Sequence, residues 1–270
     1  MKNLRKTNPQ IFFVIKCLEI AFKLKLCYHI YVEENNNRLE RRSKLLDRMR
    51  QDYLGTNAKN NDYVAVEITK ELLPQIQEID KASYYEELGD DAYAEISDME
   101  DWLDANPEMY PAAIANKKTG IVEAYICLSP LKPDVYQKFK NNEILDVDLE
   151  SSDLMPFQKG KNDCLQMDVA SRQKKLPRDG AILLLDTFEK KIASLAKEGK
   201  YIGNVLFDIC SQMGFDSASL IADIEKVNES HYGDAPKDVS GMYEGRLHLS
   251  RKIEQTLQSK QKQQIDDRTM

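Results

Sequence analysis

An α/β fold on a mixed sheet, α+β in its ordering, is what the sequence predicts, and three observations carry that reading. Strand-like runs and amphipathic helical runs succeed one another between residues 63 and 216. Two strand runs flank a tight turn, which makes them an antiparallel hairpin. The order lacks the regular strand–helix repetition of a doubly wound sheet.

The totals bound the chain. Its 270 residues suffice for one large domain or two small ones, and 42% hydrophobic with 31% charged residues is a soluble globular composition. The net charge of -7 argues against nucleic acid as a partner of the whole molecule. The charge is uneven: residues 1–50 hold 12 Lys or Arg against 5 Asp or Glu, whereas residues 78–108 hold 12 Asp or Glu and one Lys. Five cysteines, with no CxxC pair, argue against a disulfide framework and for the cytoplasm. Three histidines, His29, His231 and His248, argue against a multi-histidine metal centre.

Taken in order, residues 11–28 and 38–52 read as helices. Lys16, Glu19, Lys23 and Lys25 interrupt the first, so a partly buried helix fits better than a membrane span. A membrane-surface contact is the minor reading. The cluster Arg38, Arg41, Arg42, Lys44, Arg48 and Arg50 suits a homodimer contact as well as an anionic surface. These residues form a basic helical extension, 1–60. The main domain is expected over 61–249, and a polar tail over 250–270.

Within the domain, residues 63–68 read as a strand and Leu72, Leu73, Ile76 and Ile79 as the apolar face of a helix. Thr69 stands where it can cap that helix. Residues 84–105 read as an acidic helical stretch. Residues 110–116 and 121–128 form the hairpin, with the turn at Lys117-Lys118-Thr119-Gly120. A proline-punctuated excursion over 130–160 holds one short helix near Val135–Phe139. Residues 164–170 form the next strand. A loop follows, then a helix with Leu185, Phe188, Ile192 and Leu195 on one face, stopped by Gly199. Residues 202–209 form another strand, and Gln212–Phe215 a turn into a further one.

The loop Ser171–Ala181 is the strongest functional feature. It carries Arg172, Lys174, Lys175 and Arg178 and ends in Gly180 and Ala181 at a helix start. Helix N-terminal N–H groups and basic side chains suit phosphate oxygens. Asp179 either caps the helix or repels phosphate. An exposed basic loop with no ligand explains the same residues.

Over residues 63–216 the chain resembles the Gcn5-related N-acetyltransferase (GNAT) superfamily. The resemblance rests on Val64–Ile68 with the helix Leu72–Tyr84, on the hairpin Ala112–Leu128, on Leu165-Gln166-Met167-Asp168-Val169-Ala170, on the loop and helix after it, and on Gly214-Phe215. The loop departs from the family pattern, because its middle glycine does not fall cleanly beside Arg178. The resemblance implies a GNAT-like acyl-CoA N-acyltransferase fold and acetyl-CoA as cofactor. It places the pantetheine arm along Met167 and Val169, and the pyrophosphate at Lys174, Lys175, Arg178, Asp179, Gly180 and Ala181. The implied reaction moves an acetyl group to a primary amine, on a small molecule or a protein lysine. Such a reaction needs a base for the amine proton, an oxyanion donor and an acid for the thiolate. Asp168 and Glu123 are the candidate bases, and Tyr232 and Tyr201 the candidate acids. Cys164 and His231 have a buried and a surface reading that outweigh a chemical one. A catalytically inactive binding or regulatory protein of this fold is the alternative. The acidic segment fits a cationic acceptor, and fits a solvated helix face equally.

Overall fold

The computed structural model describes residues 62–88, 93–173, 176–230 and 239–250, all within one compact unit over residues 57–270. The expected basic extension and the polar tail after residue 250 lie outside the described residues.

The described strands are β1 (Tyr63–Ala65), β2 (Ala112–Asn116), β3 (Val122–Pro130), β4 (Gly160–Ser171), β5 (Lys200–Ile209), β6 (Ala222–Asn228) and β7 (Gly241–Leu247). They join in one sheet of order β1-β2-β3-β4-β5-β7-β6. Neighbours run antiparallel except for β4 and β5, which are parallel. The parallel pair needs a crossover, and a long helix between the two strands supplies it.

The helices are α1 (Leu73–Leu88), α2 (Ile96–Ala105), α3 (Pro133–Lys140), α4 (Arg178–Lys197) and α5 (Gln212–Ile221). Period-two alternation along the strands sends successive side chains to opposite faces, so each face has its own core. On one face Leu73, Ile76 and Ile79 of α1 and Met99 and Leu103 of α2 pack on Ala113, Tyr125 and Cys127. Beside them Val135, Tyr136 and Phe139 of α3 pack on Leu165, Leu206 and Met242. On the other face Ile182, Leu184, Phe188, Ile192 and Leu195 of α4 meet Ile114, Ile126, Val205 and Phe207.

The fold is the mixed α/β sheet expected, with several corrections. The first strand ends at Ala65, and residues 66–69 run on without joining it as strand. Thr69 precedes a short 3-10 turn but makes no side-chain cap. The acidic stretch is not one helix: α1 and α2 are separate elements. On α4 the inward residue is Leu184, and Leu185 is only partly buried. Gln212–Phe215 opens α5 instead of forming a turn, because Ser211 caps it by accepting from the Gly214 N–H at 3.1 Å. Gly199 stops α4 as expected and holds a φ of 82°, a conformation open to glycine.

Candidate active site

β4 outruns its neighbour. Its parallel ladder with β5 ends at Gln166 opposite Phe207, while its antiparallel ladder with β3 continues to Ser171 opposite Ala124. Residues 167–171 therefore present one backbone edge that β5 does not occupy. Such an edge is a template for another extended, amide-bearing chain.

The register of β4 slips by one residue in this stretch. Leu128 faces Gln166 and Cys127 faces Asp168, which leaves Met167 as an extra residue, a β-bulge. The bulge resets the alternation. Cys164 and Val169 belong to the α4 face, whereas Leu165 and Ala170 belong to the opposite face, so the parity changes between them. Asp168 consequently lies on the α1 face, opposite Val169. Its charge acts on Cys127 and on Tyr110.

That face holds a cluster of ionisable groups. Asp80 of α1 is 6% exposed, and the Tyr125 hydroxyl donates a short hydrogen bond to its carboxylate. Burial pushes the Asp80 carboxyl up to about 7, against the opposing pull of the Tyr125 hydrogen bond. The Tyr110 ring meets Tyr125 edge-on, with centroids 5.6 Å apart. Burial also raises Tyr110 and Cys127, reinforced by the charges of Asp80 and Asp168. One turn beyond Asp80, the Ser83 hydroxyl donates to the Ser171 carbonyl at 3.3 Å, tying α1 to the free end of β4.

The loop after β4 leads straight to α4. Ser171 Oγ donates to the Gln173 carbonyl at 2.6 Å and tightens the turn. Arg172 is bound to α1 and β3: its guanidinium reaches Glu78 at 3.0 Å and the Val122 carbonyl at 3.2 Å. Lys174 and Lys175 lie outside the described residues. Pro177 stands at the N-cap of α4 and makes no side-chain cap, Arg178 is exposed beside it, and Asp179 occupies the first turn. Gly180 is buried, and a Cβ there would come within 3.2 Å of Leu176 and 3.3 Å of the Tyr63 ring. Packing against β1 is thus sufficient reason for its small size. The Ala181 N–H is bonded to the Pro177 carbonyl at 3.0 Å as the first helical bond.

The other expected residues scatter. Glu123 lies at a register shift of β3, where Ala124 faces Ile114 and Val122 faces Ala115. It sits near Tyr63, whose hydroxyl is raised by burial and then by Glu123, Asp62 and Asp179. Asp168 and Glu123 are therefore not brought together. Tyr201 is the second residue of β5, six residues before the end of the parallel ladder at Phe207, or about 20 Å along a strand. That distance removes it as an acid at the opening. Tyr232 and His231 lie outside the described residues. Cys164 is fully buried in the α4-face core, and burial raises its thiol.

The sequence reading missed Asp80. Its signal was positional: Asp80 falls four residues after Ile76 and seven after Leu73, on the apolar stripe of α1.

No family model matches the chain, and a comparison with curated proteins found no match. Among solved structures, the C-terminal condensation domain of Ebony in complex with beta-alanyl-dopamine is similar at 16% identity and a TM-score of 0.44, over 70% of this chain and 100% of that one. An agmatine N-acetyltransferase is similar at 12% identity and a TM-score of 0.42, over 68% and 98%. A ribosomal-protein-alanine N-acetyltransferase from Brucella melitensis is similar at 11% identity and a TM-score of 0.36, over 67% and 96%. Strand order, strand directions and the one parallel pair at β4 and β5 make the described sheet the mixed α/β one that the sequence predicts.

Proposed function

We propose that the protein is an acetyl-CoA-dependent N-acetyltransferase that moves an acetyl group to a primary amine by direct attack on the thioester. The observation that carries this reading is the stretch of β4 past Gln166, bulged at Met167 and followed within a few residues by the N-terminus of α4. Acetyl-CoA supplies the activated acyl group when bound.

The residues present fit it. The edge of β4 at Met167 and Val169, past the end of its ladder with β5, suits the amides of a pantetheine arm. The N-terminus of α4, with no side-chain cap from Pro177, suits a pyrophosphate. Arg178, with Lys174 and Lys175, adds charge, while Gly180 and Ala181 keep the first turn narrow. Asp179 opposes an anion there. It is the specific observation that favours the alternative, a binding or regulatory protein of the same fold without transfer.

For the reaction, Asp168 is the proposed base for the amine proton, a reading supported by its position on the α1 face of β4, past the ladder with β5. Backbone N–H groups near Val169 or Ala170 are the donors for a developing oxyanion. The acceptor is a small amine or a protein lysine. Glu123 ranks behind Asp168 as base because it sits near Tyr63 and Asp179, and Tyr232 is the proposed acid for the leaving thiolate.

The test is calorimetric titration with acetyl-CoA and coenzyme A, beside a Lys175→Ala/Arg178→Ala variant, followed by thiol release with a panel of amines. Micromolar binding weakened about tenfold or more by the substitutions supports the reading, since each charge-assisted contact is worth roughly 1.5–3 kcal/mol. Binding without transfer points to the alternative. Folded protein that binds neither ligand defeats both.

A further inference from the structure

Past Gln166 strand β4 pairs with β3 and no longer with β5. Helix α1 adds polar ties to this part of the sheet. The Gln75 side-chain carbonyl accepts the Val122 N–H at 2.8 Å. Glu78 accepts from the Arg172 guanidinium at 3.0 Å. Ser83 donates to the Ser171 carbonyl at 3.3 Å. From Gln75 to Ser83 the helix rises about 12 Å, so the ties run along α1 and reach both β3 and the end of β4.

Arg172 stands among these ties with three bonds of its own. Its backbone N–H donates to the Glu123 carbonyl at 2.8 Å, which carries the pairing of β4 with β3 one residue beyond Ser171 and Ala124. Its Nε donates to the Val122 carbonyl at 3.2 Å, and its Nη1 to Glu78. One planar guanidinium thus joins β3 to α1 where the chain leaves the sheet for α4. An ammonium group on a flexible stem does not reproduce such a two-sided bridge. Alternation from Ala170 puts Arg172 on the face that carries α1. Helix α4 packs on the opposite face. The guanidinium is therefore held across the sheet from the helix whose N-terminus the reading above gives to a pyrophosphate. The side chain of Glu78 is 63% exposed and that of Arg172 29%, so substitutions here leave the core intact.

We infer that Arg172 is a positioning residue for the cofactor and not one of its phosphate ligands: by bridging Glu78 and the Val122 carbonyl it fixes the end of β4 and the turn toward α4 in the arrangement that receives acetyl-CoA. This rests on the acetyl-CoA reading above. The bridge acts by population. Without it the strand end samples other positions, and apparent affinity falls with the fraction of molecules in the receptive one. A bridge and a phosphate ligand respond oppositely to loss of the Glu78 charge. A phosphate ligand is relieved of a competing carboxylate and binds the anion as well or better. A bridge loses the charge on one of its two anchors, and cofactor affinity drops.

The full-length wild type, Glu78→Gln, Arg172→Lys and the double variant are compared by calorimetry with acetyl-CoA and by amide exchange without ligand. Glu78→Gln should weaken acetyl-CoA about threefold, the scale of one exposed pair. Arg172→Lys keeps the charge but loses the carbonyl bond and the fork, and should weaken it about tenfold. The double variant should match Arg172→Lys to within about twofold, because both changes act on one bridge. In the free protein both single variants should exchange faster at residues 167–172, with the amides of β5 and β7 unchanged.

An affinity that Glu78→Gln leaves unchanged or raises overturns the inference, and so does an Arg172→Lys variant that binds like the wild type. Faster exchange spread evenly over the sheet overturns it too, by making the pair a general stabilising contact. Exchange at 167–172 that neither variant alters removes the bridge as a restraint, and leaves the cofactor reading standing. A folded wild type that binds no acetyl-CoA overturns the cofactor reading, and this inference with it.

Discussion

Replacing Asp80 with asparagine should flatten the pH dependence of stability between about pH 4 and 7. In the folded chain the Asp80 carboxyl titrates at about 7, against an ordinary value of 3.8. Below the ordinary value the group is protonated whether the chain is folded or unfolded, and it contributes no slope. Between the two values the unfolded chain has lost this proton and the folded chain keeps it, so stability falls as pH rises. Above about 7 both states are ionised and the slope ends. The window spans about three pH units at roughly 1.4 kcal/mol each, so burial of Asp80 costs about 4 kcal/mol more at pH 8 than at pH 4. The amide of the Asp80→Asn variant carries no such term and still accepts from the Tyr125 hydroxyl. Urea denaturation of both proteins at unit pH steps from 4 to 8 reads the effect directly. The wild type minus variant difference should shift by about 4 kcal/mol toward the variant as pH rises. Two curves that run parallel to within about 1 kcal/mol would refute the reasoning.

Three further outcomes are expected, each measurable by urea or thermal denaturation. Ser211→Ala removes the cap of α5 and should lower stability by about 1 kcal/mol, with the loss confined to α5 in amide exchange. Gly245→Ala on β7 would drive a Cβ into the Asp223 carbonyl of β6, and backbone cannot yield as a side chain can, so about 1–3 kcal/mol should be lost. Phe188→Ala empties a buried position of α4, 4% exposed in the wild type, and should cost about 3–5 kcal/mol.

How much of this was legible in the sequence depends on which physical signal each element carries. The hairpin was plain, because Asn116 and Gly120 bracket a turn between two apolar runs, and Gly120 does take a φ of 72°. Helix α4 and the strand after it were plain for the same kind of reason, since Gly199 punctuates them. A further strand was expected after Phe215 but without bounds, and β7 was not foreseen. β6 lies at the sheet edge and carries Asp223, Glu225 and Lys226 among few apolar residues, so its strand signal is weak. Helix α5 was hidden by Gly214, a residue that reads as a turn until Ser211 is recognised as a cap.

At the site, the basic loop and the position of α4 were readable from composition. The bulge at Met167 was not, because a register shift belongs to the pairing of two strands and leaves no mark in either one. The alternation correctly set Asp168 against Val169, but only the cores on the two faces show which side each takes. Asp80 was concealed within a run of carboxylates that read as solvated. Several of those carboxylates do serve surface pairs: Asp104 meets Lys70 at 2.7 Å, and Glu78 meets Arg172 at 3.0 Å. Among the described carboxylates of that run Asp80 alone is buried, and only its phase on the helix distinguishes it.

The opening beside β4 is the centre of the functional account, and amide hydrogen exchange with and without acetyl-CoA tests it most directly. The account predicts slowed exchange concentrated at residues 167–171 and at the first turn of α4, with the core strands unchanged. Slowed exchange elsewhere in the chain, with those two segments unaffected at saturating ligand, would contradict it.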